Sequence, residues 1–306
     1  MEKRTSSRWA LIIAGFVINL CLGTVYAWSV FRPPLHQPPC NLSVSESVLP
    51  FSTFLLLFGI TFAFSGRMIG EVGPRRPALI GAALLGVGYL LCYAIALMPG
   101  STLLITIVGF GLIAGTGCGF AYNPPIAVVG RWFPDRRGLA LGLTVMGFGL
   151  SALITAPLVV TMISMISLPN TFLVLGVVFL ILLSLLGLLL RFPPAEWIAP
   201  QPKASTSSKG WTSAVKDFTT GEMVRTRMFY LAWLTFLVGA GAGLMVIGYA
   251  KLIATDITGL KGGLEWLATL AVSVLAVSNA VGRPFFGSVC DKIGPKRTLL
   301  TMQAIQ

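Results

Sequence analysis

The 306-residue chain carries 22 basic and 10 acidic residues and is 55 % hydrophobic but only 10 % charged, with a mean hydropathy of +0.85. Soluble domains are about 25 % charged, so these side chains cannot wet the surface of a water-soluble fold of this size. One histidine, His36, and five scattered cysteines, Cys21, Cys40, Cys92, Cys118 and Cys290, exclude a multi-histidine metal centre and offer neither a zinc quartet nor a disulfide framework.

Long apolar runs recur along the chain, each close to the roughly 20 residues that cross about 30 Å of hydrocarbon. In order they are Trp9–Phe31, Val48–Gly66, Ala78–Met98, Leu103–Gly130, Leu139–Met162, Thr171–Leu190, Met228–Ala250 and Leu264–Gly287; Thr298–Gln306 reads as the first turns of a ninth. The expected fold class is therefore an all-α membrane protein. Lys3, Arg4 and Arg8 precede the first run, but its 23 residues exceed the apolar core of a signal peptide and no small-residue cleavage site follows.

Basic residues in short loops set orientation. With the N-terminus in the cytoplasm and the spans alternating, 18 of the 22 basic residues fall on the inner side, against Arg32, Lys251 and Lys261 outside. The net charge of +12 is then mostly a mark of topology, and no nucleic-acid partner is expected. A multi-pass protein of the inner (plasma) membrane is expected, surrounded by the lipid bilayer. Nothing in the sequence points to a prosthetic group or an oligomer, so no cofactor and a monomer are the expectation.

Six spans precede a polar segment that begins Phe192-Pro193-Pro194 and passes through Ser205-Thr206-Ser207-Ser208. Such a composition buries too little apolar area to fold by itself. Residues 1–190 are expected to form a six-helix bundle, 191–227 a cytoplasmic linker, and 228–306 the start of a second bundle. Within the linker, Trp211–Gly221 has the pattern of a short interfacial helix.

Two loops match at a fixed offset. Gly66-x-x-x-Gly70-x-x-Gly73-Pro74-Arg75-Arg76 recurs as Gly287-x-x-x-Asp291-x-x-Gly294-Pro295-Lys296-Arg297, in both cases between the second and third spans of its half. Glycine permits the positive φ of a tight turn, and Asp291 can face a helix N-terminus or pair with a cation. A Gly-Pro-Arg turn is unremarkable once; its shared place in both halves is not explained by chance turns.

These loops resemble the recurring loop of the major facilitator superfamily, whose members have twelve spans in two pseudo-symmetric helical bundles. Further stretches are similar to the oxalate/formate antiporter family, a branch related to monocarboxylate carriers: Tyr26-Ala27-Trp28-Ser29, Arg131-Trp132-Phe133-Pro134-Asp135-Arg136-Arg137-Gly138-Leu139-Ala140, Asp217-Phe218-Thr219-Thr220-Gly221-Glu222-Met223 and Gly282-Arg283-Pro284. Gly70 departs from the acid usual in the first loop. Because the chain stops at Gln306 inside a ninth span, the resemblance implies a C-terminally truncated sequence whose second bundle is incomplete.

Arg283 is the sharpest single signal, a cation within the otherwise uncharged run Trp266–Gly287. A mid-membrane arginine costs about 2.5–3.5 kcal/mol on insertion scales, so it either faces a polar cavity or snorkels to the nearby loop. The residues alone leave both open; the resemblance implies that this arginine grips a substrate carboxylate through its planar fork. Asn279 lies one turn earlier, where animal monocarboxylate carriers place an aspartate linked to proton coupling. An amide takes up no proton, which suits anion exchange or uniport.

Asn19 and Tyr26 share a stripe of the first span with Gly15 and Gly23, and Tyr122 and Asn123 precede Pro124-Pro125, where proline is expected to break the helix. The resemblance implies that Tyr26 and Tyr122 line the anion site. The plainer alternatives stay open: Tyr26 as an interfacial belt residue and Asn19 as glue between helices. At the inner mouth, Arg131, Asp135, Arg136 and Arg137, with Asp291, Lys296 and Arg297, fit either a gate or simple anchoring. Gly109-Phe110-Gly111-Leu112-Ile113-Ala114 matches GxGxxA but follows no strand, so no nucleotide site is read there.

The function expected is secondary transport of a small organic anion, oxalate, formate or a lactate-like acid, by alternating access. Two rivals remain: an exporter of apolar compounds on the same fold, and a non-transporting membrane scaffold or sensor. An enzyme is not expected, since no Ser-His, Cys-His or paired-acid arrangement lies at membrane depth.

Overall fold

The computed structural model describes residues 2–194, 196, 197, 218, 220–257 and 265–305, and every regular element among them is helical. The first run folds as α1 (Glu2–Leu22), a tighter 3-10 stretch at Gly23–Ala27, and α2 (Trp28–Leu35). The tightening has a local cause. A Cβ on Gly23 would lie 2.6 Å from the Phe148 carbonyl oxygen and from the Ser151 Cβ, and the Ser151 hydroxyl donates to the Leu20 carbonyl at 2.7 Å, where the helical ladder changes pitch.

A capping box opens the second span: the Ser43 N–H donates to Glu46 Oε2 at 2.8 Å and the Glu46 N–H to Ser43 Oγ at 3.2 Å. Then come α3 (Leu49–Val72) and α4 (Arg75–Cys92), followed by α5 (Thr102–Thr106), which passes through a π-helical stretch at Ile107–Ala114 into α6 (Gly115–Trp132). The first half closes with α7 (Arg137–Ile166) and α8 (Leu168–Leu189). Among the described residues six helices are long and apolar enough to cross a membrane, all within Arg8–Leu189. The short α9 (Thr220–Val224) leads to α10 (Arg227–Ile257), α11 (Glu265–Ile293) and α12 (Pro295–Ile305).

The six spans expected before residue 191 each match a membrane-length helical stretch, and α10 and α11 fall on the seventh and eighth. Two helices clearly overrun their expected ends. The second, expected to end at Gly66, continues to Val72, with Arg67 Nε bonded to Glu71 Oε1 at 2.9 Å on its exposed face. The eighth, expected to end at Gly287, continues to Ile293. Hydropathy marks where lipid is, whereas the backbone ladder persists into water until a glycine stops it.

The break expected at Pro124-Pro125 does not occur; α6 runs through both prolines. Pro124 deprives the Phe120 carbonyl of its usual helical donor. The Ser65 hydroxyl of α3 supplies the replacement at 3.1 Å. One turn earlier Thr61 Oγ1 reaches the Thr116 carbonyl at 3.3 Å, so two hydroxyls at i, i+4 on α3 zip it to α6.

The loop repeat is reproduced in geometry. Gly73 has φ 80° and Gly294 φ 83°, each N–H closing the preceding helix on Ile69 (3.1 Å) and Cys290 (3.0 Å). Helix contacts in the first half are close: a Cβ on Gly81 would sit 2.5 Å from the Ala121 nitrogen, and one on Gly88 2.5 Å from the Gly109 carbonyl oxygen. Their core is aromatic, with Phe110 of the π-helical stretch stacked on Trp28 at 4.2 Å and flanked by Phe54 and Tyr89.

One end of the helices gathers the N-terminal segment and three loops. Arg8 forms a two-bonded ion pair with Asp135 at 2.9 and 3.3 Å, over the Phe133 ring. Arg75 Nε donates to the Leu190 carbonyl at 3.2 Å and Trp132 Nε1 to the Arg191 carbonyl at 2.8 Å. Most of the segment expected to be a linker, including Trp211–Asp217 of the expected interfacial helix, lies outside the described residues.

Candidate functional site

Helix α7 is the element on which the second-half helices rest: α11 packs along it in antiparallel fashion. Small residues make this possible. A Cβ on Gly138 would collide with the Gly287 carbonyl, and one on Gly142 would lie 2.5 Å from Pro284 Cα, so the two backbones are in contact. At the basic end the Asp291 carboxylate receives the Gly138 N–H on Oδ1 at 2.6 Å and the Leu139 N–H on Oδ2 at 2.9 Å. Asp291 thus satisfies two orphan donors at the start of α7 from another helix. Gly70, its counterpart in the first loop, faces open space.

Further along the same seam lies Arg283. Its Nη1 donates to the Val145 carbonyl of α7 at 2.6 Å and its Nη2 to Asn279 Oδ1 at 3.3 Å. The side chain does not run down to the loop: α11 continues ten residues beyond Arg283 to Ile293, about 15 Å of rise, and the guanidinium is turned onto α7 instead. It lies beside Gly149, whose chain neighbour Phe148 meets both Tyr26 and Tyr122.

Those two tyrosines meet over one ring. Phe148 takes Tyr26 edge-on at 5.1 Å and Tyr122 edge-on at 5.1 Å, and Phe58 and Phe62 flank Tyr122 at 5.5 and 5.7 Å. Tyr26 and Tyr122 are half-buried. A guanidinium, an amide and two tyrosines therefore gather beside an aromatic wall on neighbouring residues of α7. This set can hold an anion: fixed charge on one side, hydroxyl donors on the other, and rings that exclude water.

Not all expected residues join it. Asn19 is fully buried and donates to the Gly15 carbonyl of its own helix at 2.8 Å, and Asn123 donates to the Phe62 carbonyl at 2.8 Å, stitching α6 to α3. The expected gate residues also separate. Asp291 reaches across the seam; Asp135 is occupied by Arg8, Arg131 lies over the Phe192 ring at 3.8 Å, and Arg136, Arg137, Lys296 and Arg297 are exposed. The Val145 carbonyl had no signal in the residue pattern, because any residue supplies one. Gly149 carried a faint signal, lying on the same stripe as Gly138 and Gly142.

The chain matches the Major Facilitator Superfamily over residues 9–305. It is 30 % identical over 298 residues to the oxalate:formate antiporter of Oxalobacter formigenes, covering 96 % of this chain and 66 % of that protein. It is 25 % identical to apicoplast pyruvate carrier 1 of Toxoplasma gondii (99 % and 71 % covered) and 27 % identical to bovine monocarboxylate transporter 13 (96 % and 64 % covered). The chain spans about two thirds of the length of these relatives. With six membrane-length helices ahead of a second helical set, it is a multi-pass membrane protein of the Major Facilitator Superfamily, on the branch that holds the oxalate:formate antiporter and the monocarboxylate transporters.

Proposed function

We propose that the protein carries small carboxylates across a membrane by alternating access, with residues 1–190 and 228–306 belonging to two bundles that rock about the α7–α11 seam. The observation that carries this is the position of Arg283: a cation in an apolar helix, turned inward against α7 next to Gly149, whose neighbour Phe148 meets the rings of Tyr26 and Tyr122. A carboxylate takes two parallel bonds from a guanidinium fork. Tyr26 and Tyr122 then close on it from the first bundle, and the Phe58, Phe62 and Phe148 rings keep water out. Relatives named for oxalate and formate, pyruvate and monocarboxylates favour the same substrate class.

The basic end, where Arg8, Arg75, Arg131 and Asp291 gather, is assigned to the cytoplasm by the excess of positive charge. On this assignment Asp291 closes the inner side and the anion enters from the opposite face. Asn279 beside Arg283 carries no titratable proton, so the carrier works by exchange or uniport, without a proton travelling through that position.

The test is counterflow of labelled oxalate, formate and lactate in proteoliposomes, repeated for Arg283→Lys. Lysine keeps the charge and loses the fork. At least one acid should exchange in the native protein and its flux should fall sharply in the variant. Exchange of none of the three, or undiminished flux with lysine, would refute the assignment.

A further inference from the structure

We infer that Gly149 is a positioning residue for Arg283, a role that rests on the carboxylate reading and deepens it. The stripe Gly138, Gly142, Val145, Gly149 runs along the face of α7 that meets α11, but its members do different things. Gly138 and Gly142 face backbone, the Gly287 carbonyl and Pro284 Cα, and serve close approach of the helices. Gly149 meets α11 backbone at Ala280 but faces the site as well. A Cβ there would lie 3.1 Å from Asn279 Oδ1 and 3.3 Å from both Ala280 Cα and Arg283 Nε, tighter than ordinary van der Waals contact.

The missing side chain is therefore the slot in which the guanidinium sits. Nη1 is pinned on the Val145 carbonyl at 2.6 Å and Nη2 on Asn279 at 3.3 Å, with Nε passing over Gly149. Three points fix the plane of the fork. The same N–H donors must serve an incoming acid, so a carboxylate replaces the Val145 and Asn279 oxygens rather than finding a free cation. The slot keeps the fork at a depth where this exchange of acceptors needs little movement of the arginine. Crowding the slot tilts the plane and leaves the charge in place.

The experiment is a double-mutant cycle in the reconstituted protein, reading KM and maximal rate for counterflow of whichever of oxalate, formate or lactate is carried. Gly149→Ala should raise KM about tenfold, the cost of one well-aligned charge-assisted bond, with a smaller change in maximal rate. In an Arg283→Lys background, which has no Nε and no fork, Gly149→Ala should add almost nothing. An unchanged KM, or an equal rise in both backgrounds, would overturn the assignment of Gly149. If Gly149→Ala does not fold, Gly149→Ala with Asn279→Ala relieves the closest contact and still crowds Nε; it should raise KM above that of Asn279→Ala alone, and equality of the two would overturn the proposal. If Arg283→Lys itself leaves KM unmoved, the carboxylate reading fails, whatever Gly149 does.

Discussion

Asp291→Ala tests whether the seam is a gate. The carboxylate caps two N–H groups at the start of α7 from across the interface, at 2.6 and 2.9 Å. An aspartate cap contributes about 0.5–2 kcal/mol over alanine, part of it from the helix dipole. Asp291 is exposed at the basic end, so screening puts this cap near the lower half of that range, about 1 kcal/mol. That is a factor of about five in the balance between a joined and a parted seam. Spin labels at Arg136 and Arg297, both exposed and on opposite sides of the contact, read the balance as a distance distribution once Cys40 and Cys290, the cysteines that are not buried, are replaced by serine. Asp291→Ala should enrich the long-distance population about fivefold; Asp291→Asn, which keeps an acceptor but no charge, should fall between. An unchanged distribution in Asp291→Ala would show that the contact does not hold the basic end shut.

Two further substitutions probe the first half by thermal denaturation. Asp135→Ala leaves Arg8, only 13 % exposed in its ion pair, without its carboxylate and should cost about 2–3 kcal/mol, whereas replacing both partners by Met and Leu should cost less; equal losses would contradict the desolvation argument. Ser65→Ala strands the Phe120 carbonyl above Pro124 and should cost about 1 kcal/mol, within the range of interhelical bonds in membranes. No loss would mean that α6 tolerates its prolines by another route.

How far the sequence carried depended on what kind of force set each feature. Hydrocarbon thickness imposes a length on apolar runs, so all the crossings ahead of the linker were legible, and the Gly-Pro turns at Gly73 and Gly294 were legible because only glycine takes φ near 80° cheaply. Arg283 stood out because a lone charge in lipid demands a reason. The helix overrun past Gly66 and Gly287 was not legible, since no hydrophobic signal marks a helix in water. Nor was the unbroken passage through Pro124-Pro125, which rests on a hydroxyl almost sixty residues away in sequence. Asn19 shared a stripe with Tyr26 yet is bonded to its own helix; periodicity gives a face, and only packing says what that face meets. The π-helical stretch at Ile107–Ala114 coincides with tight contacts at Gly109 and Gly111 within it.

If the Arg283 guanidinium holds the anion, as proposed, its removal must weaken binding. Equilibrium binding of labelled oxalate and lactate to the reconstituted protein, with and without Arg283→Ala, measures it directly. Loss of a two-bonded charged pair of about 3 kcal/mol predicts an affinity at least a hundredfold weaker for the acid that binds. Equal affinity in the alanine variant would contradict it.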